Sequence, residues 1–344
     1  MDESTRIQGE QYRVEELTAT PYLLFGSLAS LEQLRALVKC GDAEIQNIIT
    51  NGDRALAGPD ETVTEKTQLP ASGDIHDYLS LAPFWWPNPS TSDGLPYIRM
   101  DGGVNPATRG VHTDFLRRGL MLERVESLAT AFYVTRDVKY SIKAQSLLRT
   151  WFLDASTKMN PNLNHGQAIP GNEDGRVFGI IEWAGIDQLL DAISILRASD
   201  GIPADVDGPL VQWFQEYTTW LMNSSLGQLA TTRKNNHATF YDVQLASLLL
   251  FLGRSEEARQ VLEAVKSTRI ATQIEPDGKQ PEEVKRSRSL QYSVLNLTGL
   301  QKLAHLGHRV DVDLESFETS DGRSIRKAHE FIRPYIENEE DWPL

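Results

Sequence analysis

The chain has 344 residues, of which 40% are hydrophobic, and it carries a formal net charge of −14 at pH 7. Such a length suits one large domain or two ordinary ones, and no stretch approaches the roughly eighteen unbroken apolar residues of a membrane-spanning helix. The acidic charge argues against nucleic acid as a partner. We therefore expect neither nucleic acid nor membrane as a partner, and a polyanionic substrate would need a locally basic cleft.

The N-terminal stretch, MDESTRIQGEQYRV, is polar and acidic and lacks the apolar segment of a signal peptide. It is compatible with a native cytosolic start, or with a mature sequence from which an export signal has been removed. These residues leave both the cellular location and the native N-terminus open.

Most of the chain carries apolar residues at the 3.6-residue period of an amphipathic helix. Helices are predicted at 30–52, 114–135, 137–153, 177–198, 206–222, 237–252, 255–269, 282–306 and 322–338. Short turns between them predict stacked αα-hairpins, and no repeat of fixed period indicates a regular solenoid. We therefore predict one all-α domain over residues 1–344, an incomplete α/α toroid of helical hairpins whose inner helix ends line a cleft.

The first interruption of the helical pattern is a long segment at 53–112. It is far longer than an ordinary connection, and its many aromatic residues argue against disorder. Among its prolines and glycines stand Trp85, Trp86, Tyr97 and Arg99. Either these aromatics form the small core of a packed loop, or the segment is a lid that stacks on sugar rings, with Arg99 contacting an anion.

The second interruption, at 159–176, is rich in Asn, Gly and Pro and contains His165, Gln167 and Arg176. Its polar residues form either a simple turn or a second wall of the same cleft. A metal site is not expected, since the histidines lack recognisable ligand spacing.

Two amides and an imidazole, Asn235, Asn236 and His237, stand where the apolar helix predicted at 237–252 begins, and Arg233 and Lys234 precede them. One asparagine is enough for an ordinary N-cap, which is the simpler interpretation. Alternatively, the amides and the helix N-terminus stabilise a negative charge, and the imidazole is kept neutral and able to act as a base.

The stretch PEEVKRSRSLQY, residues 281–292, contains three closely spaced cations, Lys285, Arg286 and Arg288, and a tyrosine, Tyr292. On the predicted helix, Arg288 and Tyr292 are four residues apart and in contact range. The simpler interpretation is a set of solvated ion pairs beside a core tyrosine. The alternative is the basic patch that a polyanion requires.

Taken together, four motifs resemble the alginate lyase domain family, the α/α-toroid lyases that include polysaccharide lyase family 5. They are DIHDYLSLAPFWWPNP with DGLPYIRMDGGVNP, then MNPNLNHGQAIPG, NNHATFYDVQ, and EPDGKQPEEVKRSRSLQYSVLNL. The resemblance implies an enzyme that cleaves uronic-acid polymers by β-elimination, without a cofactor, in a secreted or extracytoplasmic setting. Ser293 after Tyr292 and the KRSRS run depart from the usual alginate lyase pattern and resemble the branch that includes glucuronan lyases.

The resemblance also implies residue roles. The implied catalytic residues are Asn236, His237, Tyr292, and Arg286 or Arg288, and the stretch around Trp86, Tyr97 and Arg99 would match the entrance loop of the family. From the sequence patterns described above we add further candidate substrate-binding residues: Asn235, Trp85, His165, Gln167, Arg176 and Lys285. Asn236, with one of the two arginines, would neutralise the uronate carboxylate, Tyr292 would protonate the leaving oxygen, and Tyr292 or His237 would remove the proton from C5.

Two alternatives remain at this stage. A glycoside hydrolase on the same fold would need two carboxylates flanking the scissile bond, and Asp277, Glu282, Glu283, Glu182 and Glu173 are available. A non-catalytic carbohydrate-binding protein would keep the aromatic lid without the chemistry.

Overall fold

The computed structural model describes residues 23–37, 42–100, 103–336, 338 and 342–343. The N-terminal stretch MDESTRIQGEQYRV and the junction at 38–41, inside the helix predicted at 30–52, lie outside the described residues. No helix in the described part of the chain is both long and apolar enough to cross a membrane.

The described chain is mainly helical. Its α-helices are α1 (Leu28–Leu37), α2 (Ala43–Ala57), α3 (Phe115–Thr135), α4 (Val138–Leu148), α5 (Ile186–Ala198), α6 (Ala204–Asn223), α7 (Ser225–Thr231), α8 (Asn236–Phe251), α9 (Ser255–Val265), α10 (Ala271–Gln273), α11 (Pro281–Val284), α12 (Ser289–Gly307) and α13 (Ile325–Ile332). Several begin at side-chain caps, since Asp42, Asp137 and Ser324 each accept a backbone N–H of the first turn.

Successive helices pack as antiparallel hairpins and close into an incomplete α/α toroid, as the periodicity predicts. Helix α3 packs against α2, α4 and α5, and α8 packs against α5, α9 and α12. In α8 every residue except His237 is buried. This helix is therefore an inner helix of the toroid, buried on all sides, and His237 in its first turn is its one partly exposed residue.

The long non-helical segment is ordered by short strands. It contains β1 (Leu79–Leu81), β2 (Trp85–Trp86) and β3 (Ile98–Arg99), and β4 (His165–Ala168) comes from the second interruption. Strand β1 pairs in parallel with β4, and β2 pairs antiparallel with β3. The two interruptions of the helical pattern therefore form one wall, as expected if both line the cleft. The loop begins after Ala57 rather than at residue 53, because α2 continues into it.

A buried ion pair anchors this wall to the helices. The Lys66 ammonium lies 3.1 Å from Asp114 Oδ2, and both side chains are fully buried. The same carboxylate accepts the Leu79 backbone N–H at 2.8 Å. Strand β1 is thus held against the start of α3.

Several predicted helices are wrong in their extent, among them the one predicted at 322–338, of which only Ile325–Ile332 is α-helical. Residues 177–198 begin with a 3₁₀ segment, Val177–Trp183, before α5 starts at Ile186. The helix predicted at 282–306 is divided into α11 and α12, with a break at 285–288. Serines 287 and 289 form helices less readily than alanine, and long-range contacts described below hold each side of the break.

Candidate active site

The site is built around the start of α8, where Asn236 is the first helical residue. Asn236 is buried, with 1% exposure, whereas His237 is half-buried at the cleft. Asn235 occupies the N-cap position, but within the described part of the chain its side chain makes no capping hydrogen bond. The interpretation of Asn235 as an ordinary cap is therefore wrong, and a different residue satisfies the helix start.

That residue is Glu283, from α11. Its Oε1 accepts the Asn236 backbone N–H at 2.6 Å, and its two carboxylate oxygens accept the Asn236 Nδ2 at 2.9 and 2.8 Å. Burial raises the pKa of the Glu283 carboxyl, while the bonds from Asn236 and the charge of Arg286 oppose that rise. The carboxylate thus caps a helix 47 residues away along the sequence.

The His237 ring lies in a cationic and partly apolar environment. It packs edge-to-face on Phe178, with ring centroids 4.8 Å apart. Its Nδ1 is buried and has no hydrogen-bond partner in the described parts of the chain. Burial lowers the pKa of His237 to about 3, and the charges of Arg286, Arg233 and Arg176 add to this effect. The imidazole is therefore neutral at physiological pH.

Arginines surround this imidazole. Arg176 and Arg233 lie 4.5 and 4.7 Å from the centroid of the Phe178 ring, within cation–π range. The pKa of Arg176 is lowered by burial and further by the charges of Arg233 and Arg99, against the opposing effect of Glu173. The charges of Arg99 on strand β3 and of Arg233 just before α8 both act on Arg176. We call these three residues the arginine cluster. The cluster is the local positive potential that a polyanionic substrate needs.

Close packing of the backbone positions Arg176 and Phe178. The Arg176 N–H donates to the Gly166 carbonyl at 2.8 Å. A Cβ on Gly179 would lie 2.5 Å from the Gly166 carbonyl carbon, so the 3₁₀ segment and β4 approach closely only because both positions are glycine. This contact presents Phe178 to His237.

Tyr292 lies in the first turn of α12, half-buried, with the Arg286 guanidinium 3.9 Å above its ring centroid. Arg288 contacts Tyr292 through the backbone, since its carbonyl accepts the Tyr292 N–H at 3.0 Å, but its side chain is not the cation over the ring. Because the helix is broken, Arg288 is an exposed residue at the N-cap position of α12, and Arg286 turns back onto the ring instead. Arg286 also contributes to the low pKa of His237, which joins the tyrosine and the histidine into one site.

Lys285 is not part of this cluster. Its ammonium pairs with Glu282 at 2.6 Å, and its side chain is 64% exposed. The basic run in the sequence thus divides into one inward cation, Arg286, and two that face solvent.

The remaining predicted binding residues line the wall. In β4, His165 and Gln167 are half-buried and alternate with buried Gly166 and Ala168; His165 Nδ1 lies 3.1 Å from the Asp174 carbonyl and its Nε2 3.6 Å from Asp77. On the long loop, Trp85 and Trp86 are half-buried, and Arg99 is paired in register with Trp85. The Tyr97 N–H donates to the Pro170 carbonyl at 2.9 Å, which connects the long loop to the second interruption.

Three features of the site were not predicted as part of it. They are Phe178, the set of hydrogen bonds from Asn236 to the Glu283 carboxylate (called the clasp below), and a buried amide network. In the network, Gln273 Oε1 accepts from Thr239 and from Asn296, and Asn296 also donates to Gln280. Asn296 is fully buried, so this network belongs to the interior of the protein. A polar residue at an otherwise apolar helix position was the available signal for this network.

Comparisons with known proteins agree with this arrangement. The profile of the family described as alginate lyase matches residues 62–342. The chain belongs to the alginate lyase family. It is similar to the crystal structure of an alginate lyase from Bacteroides ovatus, with 34% identity, a TM-score of 0.88, and coverage of 94% of this chain and 86% of that one. The protein is accordingly a polysaccharide lyase.

More distant members share the fold. Alginate lyase A1-III from Sphingomonas species A1 is 17% identical, with a TM-score of 0.56 over 94% of this chain and 81% of that one. A variant of A1-III complexed with a tetrasaccharide gives 17% identity, a TM-score of 0.57 and the same coverages. No curated protein sequence matches the chain.

Proposed function

We propose that this alginate lyase family member cleaves alginate, a 1,4-linked uronate polymer, by β-elimination. The observation that carries the proposal is the neutral His237, with its unpaired Nδ1, set among arginines, one of which, Arg286, also lies over the Tyr292 ring. A uronate substrate brings one carboxylate per sugar, and the arginine cluster supplies counter-charges at the cleft.

In the reaction, a base removes the proton from C5, the C5–H electrons form the C4=C5 double bond, and the C4–O bond breaks. The proton is acidic enough only when the neighbouring carboxylate is neutralised, since the intermediate is a dianion. Fixed donors aimed at the developing charge usually contribute the largest catalytic term. We assign this role to Asn236 and Arg286.

We assign both proton transfers to Tyr292. In β-mannuronate the C5 hydrogen and the C4 oxygen lie on the same face of the ring, so one phenol can take the first proton and return it to the leaving oxygen. Arg286, 3.9 Å from the ring centroid, puts positive charge where negative charge develops on Tyr292. His237 is a weak base because its pKa is about 3, and we assign it a neutral hydrogen-bonding role toward the substrate.

The carboxylates available to a hydrolase are engaged elsewhere. Glu283 binds Asn236, and Glu282 and Asp277 pair with Lys285 and Lys279. Glu173 pairs with Arg176 at 3.3 Å, and Glu182 accepts the buried Tyr78 hydroxyl. These contacts support elimination over hydrolysis, which requires two carboxylates on opposite sides of one glycosidic bond.

Glucuronan is a second candidate substrate. Ser293 follows Tyr292, is buried, and has its carbonyl bonded by Gln280 at 2.9 Å, in a position where alginate lyases usually carry a histidine. Both polymers lie outside the cytoplasm of the cells that make them, so we propose an extracytoplasmic site of action.

The test is a panel of polymannuronate, polyguluronate and glucuronan, followed by ultraviolet absorbance of the unsaturated product and mass spectrometry of the fragments. We expect the fastest rise with polymannuronate. A faster rise with glucuronan would reassign the substrate, and fragments that have gained water, without new absorbance, would refute elimination.

A further inference from the structure

The Glu283 carboxylate is a buried acid that the elimination itself does not use. It is 1% exposed, as is Asn236, and it directs both oxygens at the Asn236 side chain while one also takes the backbone N–H. A buried carboxylate costs free energy unless its hydrogen bonds are satisfied. Three contacts to a single partner indicate that the two residues act as a unit.

The chemistry of the carboxylate fixes the orientation of the amide. An ionised carboxylate only accepts hydrogen bonds, whereas an asparagine amide donates from one end and accepts at the other. Asn236 must therefore turn its Nδ2 toward Glu283, and the flipped rotamer would set two acceptors against each other. The two carboxylate oxygens lie close together, whereas the two N–H bonds of the amide diverge widely, so one N–H points between the oxygens and the other is left to donate to the uronate. The bond to the backbone N–H at 2.6 Å additionally fixes the main chain from which His237 follows.

The same short segment links both halves of the site. Arg286 follows Glu283 by one turn, with its N–H bonded to the Glu283 carbonyl at 3.0 Å, and its guanidinium lies over Tyr292. Any shift of Glu283 would thus move the neutralising amide and the arginine above the tyrosine together.

We propose that Glu283 is a positioning residue: by clasping Asn236 it sets the orientation of the amide that neutralises the uronate carboxylate. This inference rests on the proposed function. Glu283 touches no reacting atom, and its effect on the rate passes through Asn236.

The first measurement compares Glu283→Gln with Glu282→Gln. The former keeps the shape but sets an amide donor against the donors of Asn236; the latter removes an adjacent, exposed carboxylate. Loss of a charged hydrogen bond predicts about a 10- to 100-fold lower kcat in Glu283→Gln, with KM changed by less than about threefold, because the lost contact matters in the transition state. Glu282→Gln should stay within about twofold of wild type, as for exposed ion pairs.

The second measurement separates positioning from stability. In an Asn236→Ala background, Glu283→Gln should lower kcat by less than about twofold, because residues that act as a unit are non-additive. A purely structural carboxylate would lower the melting temperature and reduce kcat equally in both backgrounds, which would overturn the inference, as would wild-type kcat in Glu283→Gln.

Glu283→Asp covers the case in which Glu283→Gln does not fold. It keeps the charge but withdraws the carboxylate by one methylene, so the kcat loss should persist, and an unimpaired Glu283→Asp would overturn the inference. Wild-type protein inactive on every uronate polymer would refute the proposed function instead. Hydrogen exchange of the Asn236 backbone N–H tests the contact with Glu283 independently of activity. Protection of this N–H should fall in Glu283→Gln, and unchanged protection would refute the inference.

Discussion

The most direct test of the site's electrostatics is the pH dependence of kcat/KM, which reports ionisations of the free enzyme. Burial and three arginines lower the pKa of His237 to about 3. At pH 5 such an imidazole is about 99% neutral, whereas one with the usual pKa of 6.5 would be about 3% neutral. If the reaction requires neutral His237, kcat/KM would fall about 30-fold from pH 8 to pH 5 for a histidine with the usual pKa. For a histidine with the low pKa of this site, kcat/KM would hardly change over the same range.

The assay is kcat/KM on polymannuronate from pH 8 to pH 4.5, followed by ultraviolet absorbance, with circular dichroism at each pH to confirm that the protein is folded. We expect no limb near pH 6.5. A limb with its midpoint near 6.5 that disappears in His237→Gln would refute the cationic, buried environment described for the imidazole.

The same ionisation predicts how stability depends on pH. Because the pKa of His237 is lower in the folded protein than in the unfolded chain, the unfolded chain binds the proton first as pH falls. The contribution of His237 to stability is therefore complete above about pH 6.5 and is lost progressively toward about pH 3. The midpoint of thermal unfolding should fall less steeply over this window in His237→Gln than in wild type, and identical slopes would contradict the assignment.

Three further predictions follow from the contacts at Tyr292 and the arginine cluster. Tyr292→Phe keeps the ring beneath Arg286 but removes the hydroxyl, so turnover should fall by at least about 10²-fold at an unchanged melting temperature; more than a few per cent residual activity would remove Tyr292 from the proton transfers. Arg286→Ala should lower kcat/KM by about 10- to 100-fold, whereas the exposed Arg288→Ala should stay within about twofold, and the reverse order would return the catalytic role to Arg288. Finally, kcat/KM should fall as salt rises toward 1 M, since screening weakens polyanion capture, and a salt-independent value would argue against the cluster as the binding surface.

Sequence reasoning succeeded where the relevant information is local. The apolar period after Asn236 and His237 correctly predicts an inner helix that begins at the cleft, and the aromatic residues around Trp86 correctly predict an ordered loop. The ring of hairpins follows from helix lengths and short turns, and these are properties of neighbouring residues in the chain.

It failed where distant contacts decide the local structure. The helix predicted from sequence runs through residues 285–288, but Glu283 binds Asn236 and the Ser289 hydroxyl accepts the Trp342 indole N–H at 2.7 Å. These partners lie 47 and 53 residues away, so the pattern alone cannot predict the break. If the break is not known, the sequence does not show which of Arg286 and Arg288 faces Tyr292. Phe178 was missed for a similar reason: its position is typical of a core residue within a helix.

The acidic chain can bind a polyanion because its charge is unevenly distributed. Charges separated by more than about 10 Å are largely screened at 0.1 M salt, so the net charge of −14 matters less to a bound uronate than the cations beside it. Helices α8 and α12 both begin at the site, and their N-termini add partial positive charge to that of the guanidinium groups. Glu283 would cancel part of this potential if it faced the cleft, but its oxygens are directed at Asn236 and it is buried. The site thus keeps a carboxylate for positioning while presenting a cationic surface to the substrate.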